Sequence, residues 1–341
     1  MIRFDNDYTE GAHPFILEEL VKTNTVQLPG YGEDEYCRLA AEHIKRHCAN
    51  EDVDVHFMVG GTQANTTIIS AILRPHQAVL AADSGHIAVH ETGAIESTGH
   101  KVLELQNTEG KINADQIASY VQNHWDDPTH EHIPQPKLVY LSQPTELGTL
   151  YTKAELQAIR DVCLAKNLYL MVDGARLGYG MAAKTNDVTL HDLTTLTDIF
   201  YIGGTKVGAM FGEAIVISHD YIKEDFRYIM KQRGGMLAKG RFLGLQFKVL
   251  FEDNLYFDVS NHAIRMAELL LAAFKDKGIA LKYDSPTNQI FPILEDDKIK
   301  ELHDHYSFYV WEEAGDGRKA VRICTSWSTK EEDINSFIAA L

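Results

Sequence analysis

The chain alternates short, almost wholly apolar runs with longer segments in which apolar residues recur at helical spacing. From residue 54 the order is "DVHFMVG", "TQANTTIISAIL", "AVLAAD", "HIAVHETGAIEST" and "KVLELQ", and the pattern continues through "KLVYLSQ" (137–143), "LYLMVD" (168–173), "DIFYIG" (198–203) and "EAIVIS" (213–218). Such alternation predicts βα units, that is, an α/β fold with a mainly parallel sheet covered by helices. The apolar runs lack polar alternate positions, as expected of strands buried on both faces. "TKAE" at Thr152–Glu155 has the form of a capping box and predicts a helix from there to about Lys166. Near Asn261 the pattern changes to a long amphipathic helix ("AIRMAELLLAAFKDKG"), the short runs "QIFPIL", "FYVWEE" and "AVRICTSW", and a final helix from about Lys330. The predicted organisation is an N-terminal arm (1–30), a large domain (31–255) and a smaller C-terminal α+β domain (256–341).

Composition narrows the function. The 341 residues are 45% hydrophobic and 24% charged, a balance typical of a folded chain long enough for two domains. With 32 Lys and Arg against 49 Asp and Glu, the net charge is −17, which disfavours nucleic acid and anionic membrane surfaces as partners. A small polar ligand fits better. Acidic residues at Asp5, Asp7 and Glu10 interrupt what a signal peptide would need as an apolar core, and no run approaches membrane-spanning length. These features predict a cytoplasmic protein. Cys37, Cys48, Cys163 and Cys324 form no CxxC pair, which suits reduced thiols of structural use.

Three positions suggest chemistry. In "VGGTQAN" (59–65) a glycine turn follows a strand and opens a helix, so the amides of Gly61 and Thr62 lie at a helix N-terminus suited to a phosphate. Asp173 ends a buried strand, where open α/β sheets place ligand-binding residues; Arg176, three residues on, could be its structural partner. Lys206, in "GGTK", follows the next apolar strand among small residues. A phosphate cradle, a buried acid and a buried lysine, each at a strand end, suit pyridoxal 5′-phosphate: lysine attaches it, acid keeps its ring nitrogen protonated, and the helix end takes its phosphate.

Taken with "GTQAN", "ADSGHIAVHETGA", "VDGARL", "GGTK" and "VRICTSW", the sequence resembles the threonine aldolase and aromatic amino acid β-eliminating lyase family of fold-type I pyridoxal-phosphate enzymes, in its low-specificity branch. The resemblance runs nearly end to end. It implies that Lys206 carries the cofactor, Asp173 faces its pyridine nitrogen, Gly61, Thr62 and Thr205 hold its phosphate, and His86 stacks on its ring with Glu91 orienting the imidazole. Arg176 and Arg322 match the arginines that hold the substrate carboxylate, and Asn6 stands where relatives usually have a serine. Tyr31 matches a tyrosine supplied by the neighbouring subunit, implying a homodimer or homotetramer with its site at the interface. Arg233, Lys239 and Arg241 are candidates for that neighbour's phosphate contacts. No metal is expected: His86 and His90 have a zinc-like spacing, but no third ligand is apparent.

The sequence departs from the family where many threonine aldolases carry "ENTHN". Here "LSQPTELGTLY" puts Thr145 in the histidine's place, with Glu146 beside it. The reaction implied is retro-aldol cleavage of an L-β-hydroxy-α-amino acid, such as threonine or allo-threonine, to glycine and an aldehyde. His86, Glu146 or a water would take the hydroxyl proton. The alternatives are β-elimination on an aromatic or other amino acid, transamination, and a non-catalytic pyridoxal-phosphate-binding protein.

Overall fold

The computed structural model describes residues 1–341. Its strands in chain order are β1 (Ile2–Arg3), β2 (Asp54–Met58), β3 (Gln77–Ala82), β4 (Val102–Leu105), β5 (Gln135–Ser142), β6 (Tyr169–Asp173), β7 (Ile199–Gly203), β8 (Glu213–Ile217), β9 (Gln289–Ile290), β10 (Ile293–Glu295), β11 (Tyr306–Ser307), β12 (Tyr309–Gly315) and β13 (Arg318–Cys324). Seven of them form one sheet in the order β2-β8-β7-β6-β5-β3-β4. Its pairs from β4 to β7 are parallel, while β8 runs antiparallel to both β7 and β2.

The apolar runs are continuous because their alternate residues feed two different cores. In β6, Leu170 and Val172 pack with Leu156 and Ile159 of the helix Lys153–Ala165, whereas Met171 packs with Ile68 and Ile69 of the helix Gly61–Ile72. Each such burial is worth about 1.5–3 kcal/mol relative to exposure, so a polar residue is costly on either face. Thr152 and Glu155 make the reciprocal capping box, and their helix ends at Ala165 with Lys166 as its cap.

Three local expectations change. "HIAVHETGAIEST" yields only a short helix, His86–Val89, and a 3₁₀ turn, Glu96–Thr98; Thr92 and Gly93 between them have φ of 48° and 75°, which a right-handed helix cannot accommodate. "EAIVIS" does not continue the parallel order, since only residues 204–212 connect β7 to β8 and that length permits antiparallel return but no crossover helix. The expected N-terminal arm contains a helix, Pro14–Thr23, and β1 pairs in parallel with β11 near the C-terminal sheet.

That sheet has β13 at its centre, with β10 and β9 on one side and β12 on the other. The helix Leu255–Asp276 serves two cores: Tyr256, Val259 and Ala263 pack against the large sheet's side, while Leu270 and Phe274 pack with Ile323, Ile334 and Phe337. Phe4 joins this second core, and the Cys324 amide donates to its carbonyl at 2.8 Å. The chain is thereby held so that Asp7 and Tyr8 reach the carboxyl ends of the parallel strands. No helix is long and apolar enough to cross a membrane.

Candidate active site

A cleft of about 320 Å³ opens at those strand ends. It is lined by the turn Gly60–Thr62, His86, Ser142, Glu146, Asp173, Arg176, Tyr201, Thr205, Lys206 and Glu213, with Tyr8 from the N-terminal segment. The parallel topology delivers these residues together: Ser142 and Asp173 are register partners at the ends of β5 and β6, and Lys206 follows β7.

Asp173 is nearly buried yet well supplied with donors. Tyr140 Oη donates to its Oδ2 at 2.5 Å, Asn65 Nδ2 to the same oxygen at 3.3 Å, and the Ala175 amide to Oδ1 at 3.0 Å. Asn65 also donates to Glu91 Oε1 at 2.8 Å, and that oxygen lies 2.9 Å from His86 Nδ1. A single amide thus ties the Asp173 carboxylate to the group that orients His86.

Lys206 is half-buried, and desolvation lowers its pKa; the nearby Arg176 charge lowers it further, against the opposing pull of Asp7, Asp173 and Glu213. The Tyr179 hydroxyl donates to the Lys206 carbonyl and fixes the turn. Close packing demands glycine here, since a Cβ on Gly203 would lie 2.2 Å from the Ala175 carbonyl oxygen.

Arg176 does not pair with Asp173. Its Nε and Nη2 donate to Asp7 Oδ2 and Oδ1 at 2.6 and 3.0 Å, and Asn288 Nδ2 adds a donor to Asp7 at 2.9 Å. Burial alone would raise the Asp7 pKa, but Arg176 and Lys206, with these hydrogen bonds, hold it below the usual carboxylate range. Glu146 Oε1 accepts from the His86 amide at 2.9 Å and from Ser142 Oγ at 2.6 Å. Burial, with a further contribution from Asp173, raises the Glu146 pKa despite the Ser142 bond. Thr145, at the cleft wall beside Glu146, is buried and shares a 2.7 Å hydrogen bond with Thr149, which braces the turn.

Other expected residues lie elsewhere. Arg322 does not line the cleft; its Nη2 donates to the Asp5 carbonyl at 3.1 Å and its guanidinium lies 5.3 and 5.1 Å from the Tyr309 and Trp311 ring centres. Asn6 turns its amide to Asp5 Oδ2 at 2.9 Å, and Tyr8 is the neighbour that enters the cleft. Tyr31 is exposed and lines a separate surface pocket, with Lys231 Nζ 4.5 Å from its ring centre. Arg241 holds the carbonyls of Thr23 and Asn24, Lys239 is exposed, and neither they nor Arg233 line the cleft.

The cleft fits pyridoxal phosphate on several independent counts. The helix Gly61–Ile72 begins at Gly60 with no side chain capping its free amides, and its N-terminus opens on the cleft. A Cβ at Gly61 would lie 3.2 Å from Tyr201 Oη, a tight contact at the cleft wall that glycine avoids. A half-buried lysine whose surroundings lower its pKa and a strongly hydrogen-bonded carboxylate complete the set of groups. Fold and site together define a fold-type I pyridoxal-phosphate enzyme.

Comparison with known proteins narrows this further. The chain belongs to the family described as beta-eliminating lyase, whose model matches residues 25–297. It is 30% identical to a low specificity L-threonine aldolase of a Pseudomonas species over 99% of this chain and 96% of that one. The solved structure of a Leishmania major threonine aldolase superposes with a TM-score of 0.96 and 46% identity, covering 99% of this chain and 98% of that one. A histidinol-phosphate aminotransferase of Clostridium acetobutylicum, 14% identical, shares the fold with a TM-score of 0.75 over 100% of this chain and 98% of its own. The chain is therefore of a pyridoxal-phosphate-dependent lyase family.

Sequence reasoning missed the cleft residues Tyr8, Ser142, Tyr201 and Glu213, and the residues Asp7, Asn65 and Tyr140 that hold Arg176, Asp173 and Glu91 from behind. Only Asn65 carried a usable signal, as a polar residue on the apolar face of its helix; the others are read as ordinary strand or loop residues until the sheet is assembled.

Proposed function

We propose that this chain cleaves L-β-hydroxy-α-amino acids of the threonine and allo-threonine type to glycine and an aldehyde. The observation that carries the reading is the state of Glu146: one oxygen is anchored by His86 and Ser142, the other has no protein partner, and the group borders the same cleft as Lys206. A carboxylate so placed can accept a hydroxyl proton where relatives use a histidine.

In this reading Lys206 anchors the cofactor, Asp173 faces its ring nitrogen, and Gly61, Thr62 and Thr205 hold its phosphate. The cofactor supplies an electron sink for the pair released when a bond to the substrate α-carbon breaks. Arg176 binds the substrate carboxylate. Asp7 occupies its Nε and one Nη2 hydrogen, which leaves the opposite edge of the guanidinium for a bidentate pair. Glu146 takes the β-hydroxyl proton, and His86, oriented by Glu91, closes over the ring. Arg322 and Asn6 would reach the substrate carboxylate only by moving from their present partners. Tyr31, exposed on this chain, would serve a second copy, in a homodimer or homotetramer whose sites lie at the interface. Residues 31–255 form the cofactor domain and 256–341 the small domain, with 1–30 as the arm, and the protein works in the cytoplasm.

The test is product analysis on a panel of L- and D-β-hydroxy amino acids. Glycine plus aldehyde supports the reading; pyruvate plus ammonia assigns β-elimination instead. Borohydride treatment of the yellow holoenzyme is expected to fix the cofactor on the peptide containing Lys206.

A further inference from the structure

Glu213 has no part in the reaction described above. It opens β8, paired with Gly203 on one side and Met58 on the other, and lines the same cleft as Lys206, Gly61 and Thr62 while only 3% exposed. A carboxylate is an unexpected neighbour for a phosphate cradle. Its hydrogen bonds give it a function. Thr205 Oγ1 donates to Glu213 Oε1 at 2.9 Å, the Gly204 amide donates to Oε2 at 3.2 Å, and the Gly212 amide donates to Thr205 Oγ1 at 3.0 Å. The Gly212 carbonyl, 3.4 Å from the same hydroxyl, is too distant to be a good acceptor. A hydroxyl has one hydrogen to donate and two lone pairs to accept with. While Glu213 is ionised, the single Thr205 hydrogen is committed to it and none is left for an anion.

We propose that the cofactor phosphate requires Glu213 in its protonated form, so that phosphate binding takes up one proton wherever Glu213 is ionised beforehand, and that this proton reverses the Thr205 hydroxyl so that it donates to the phosphate. The proposal rests on the reading of Gly61, Thr62 and Thr205 as phosphate contacts. The proton comes from solvent and forms an O–H bond on Glu213; the neutral acid donates to Thr205 Oγ1, the Gly212 amide keeps the second lone pair, and the threonine's own hydrogen turns to the phosphate. Every donor and acceptor is then matched. The groups acting on Glu213 are compatible with such a change. Burial pushes its pKa up to about 8, Thr205 and Lys206 pull it down, and Asp173 pushes it up; the Tyr201 and Tyr256 hydroxyls also lie within its electrostatic reach. A phosphate dianion adds a further upward push.

The experiment compares pyridoxal phosphate with pyridoxal, which lacks the phosphate, binding to apoprotein resolved from the holoenzyme. Lys206 and Asp173 meet both ligands alike, so the ratio of their dissociation constants isolates the phosphate. Above Glu213's folded pKa, to about pH 9.5, the advantage of the phosphorylated ligand is expected to fall by up to about tenfold per pH unit in the wild-type protein. Glu213→Gln, whose amide can donate to Thr205 Oγ1 and accept from the Gly204 amide, is expected to keep that advantage constant. A pH-independent ratio in the wild type, or an undiminished slope in the variant, overturns the proposal. If Glu213→Gln does not fold, calorimetry of the wild type in buffers of different ionisation enthalpy decides: near pH 9, uptake of about one more proton for pyridoxal phosphate than for pyridoxal supports it, and equal uptake overturns it. If neither ligand binds, the proposed function falls as well. If both bind and threonine is cleaved while the ratio stays flat, only the role of Glu213 falls.

Discussion

Replacing Asp7 by Asn tests the least expected contact of the site. Asp7 is fully buried and receives two hydrogen bonds from Arg176, whose side chain is 13% exposed, and one from Asn288. The substitution preserves shape and one acceptor but removes the only carboxylate on this guanidinium, and it turns amide hydrogens toward a cation. Removing one partner of a buried pair costs about 3–5 kcal/mol; the retained acceptor and the cleft's access to water place Asp7→Asn near the lower end, about 3 kcal/mol. At ~2 °C per kcal/mol for a chain of this size, the melting midpoint of the apoprotein is expected to fall by about 6 °C in calorimetry. The pH dependence supplies a second signature. The Asp7 pKa is lower folded than unfolded, so its contribution is complete above about pH 4 and is lost as pH falls through the folded value; the variant should lack that acid limb. Since Asp7 also aims the guanidinium, threonine KM is expected to rise about tenfold, the equivalent of ~1.4 kcal/mol. A midpoint within about 1 °C of wild type, with KM unchanged, would refute both the pairing energy and the aiming role.

Two further substitutions probe other groups. Glu146→Gln is expected to lower kcat for threonine cleavage by about 10²-fold or more and to abolish the acid limb of its pH profile, because the carboxyl, whose pKa burial raises, must be ionised to accept the proton; an unchanged kcat would pass that role to His86. His56→Phe should make the protein less sensitive to acid, as read from urea midpoints across the interval. Burial lowers the His56 pKa to about 4, its Nε2 is buried without a partner, and its ring centre lies 5.1 Å from that of Phe226. Its contribution is therefore present above the unfolded value of about 6.5 and lost as pH falls toward the folded one, and a variant as acid-sensitive as wild type would contradict this.

Much of the fold is legible in the chain because it is a matter of local pattern. Apolar runs between amphipathic segments prescribe strands under helices, the capping box sets the start of one helix, and "GGT" after a strand marks an open helix end. The same runs misled where direction was at issue: hydrophobicity says that residues 213–217 form a buried strand but not that they pair antiparallel, which the short 204–212 connection decides. Lys206, Asp173, His86 and the Gly61–Thr62 turn stood out because each is a polar or permissive residue where an apolar pattern predicts otherwise.

The partners of these residues had no such mark. Asp7 is one acid among several in a polar N-terminal stretch, and only the pairing of β1 with β11 and the burial of Phe4 carry it to Arg176, 169 positions away. Tyr140 and Glu213 look like ordinary strand residues, yet adjacency in the sheet turns one toward Asp173 and the other toward Thr205. The sequence by itself determined most of the element types and the class of cofactor, since those depend on local periodicity and side-chain type. The tertiary structure decided which charges meet, which hydrogens are committed and which carboxyls have their pKa raised, because such properties arise from burial and from distances across segments far apart in the chain.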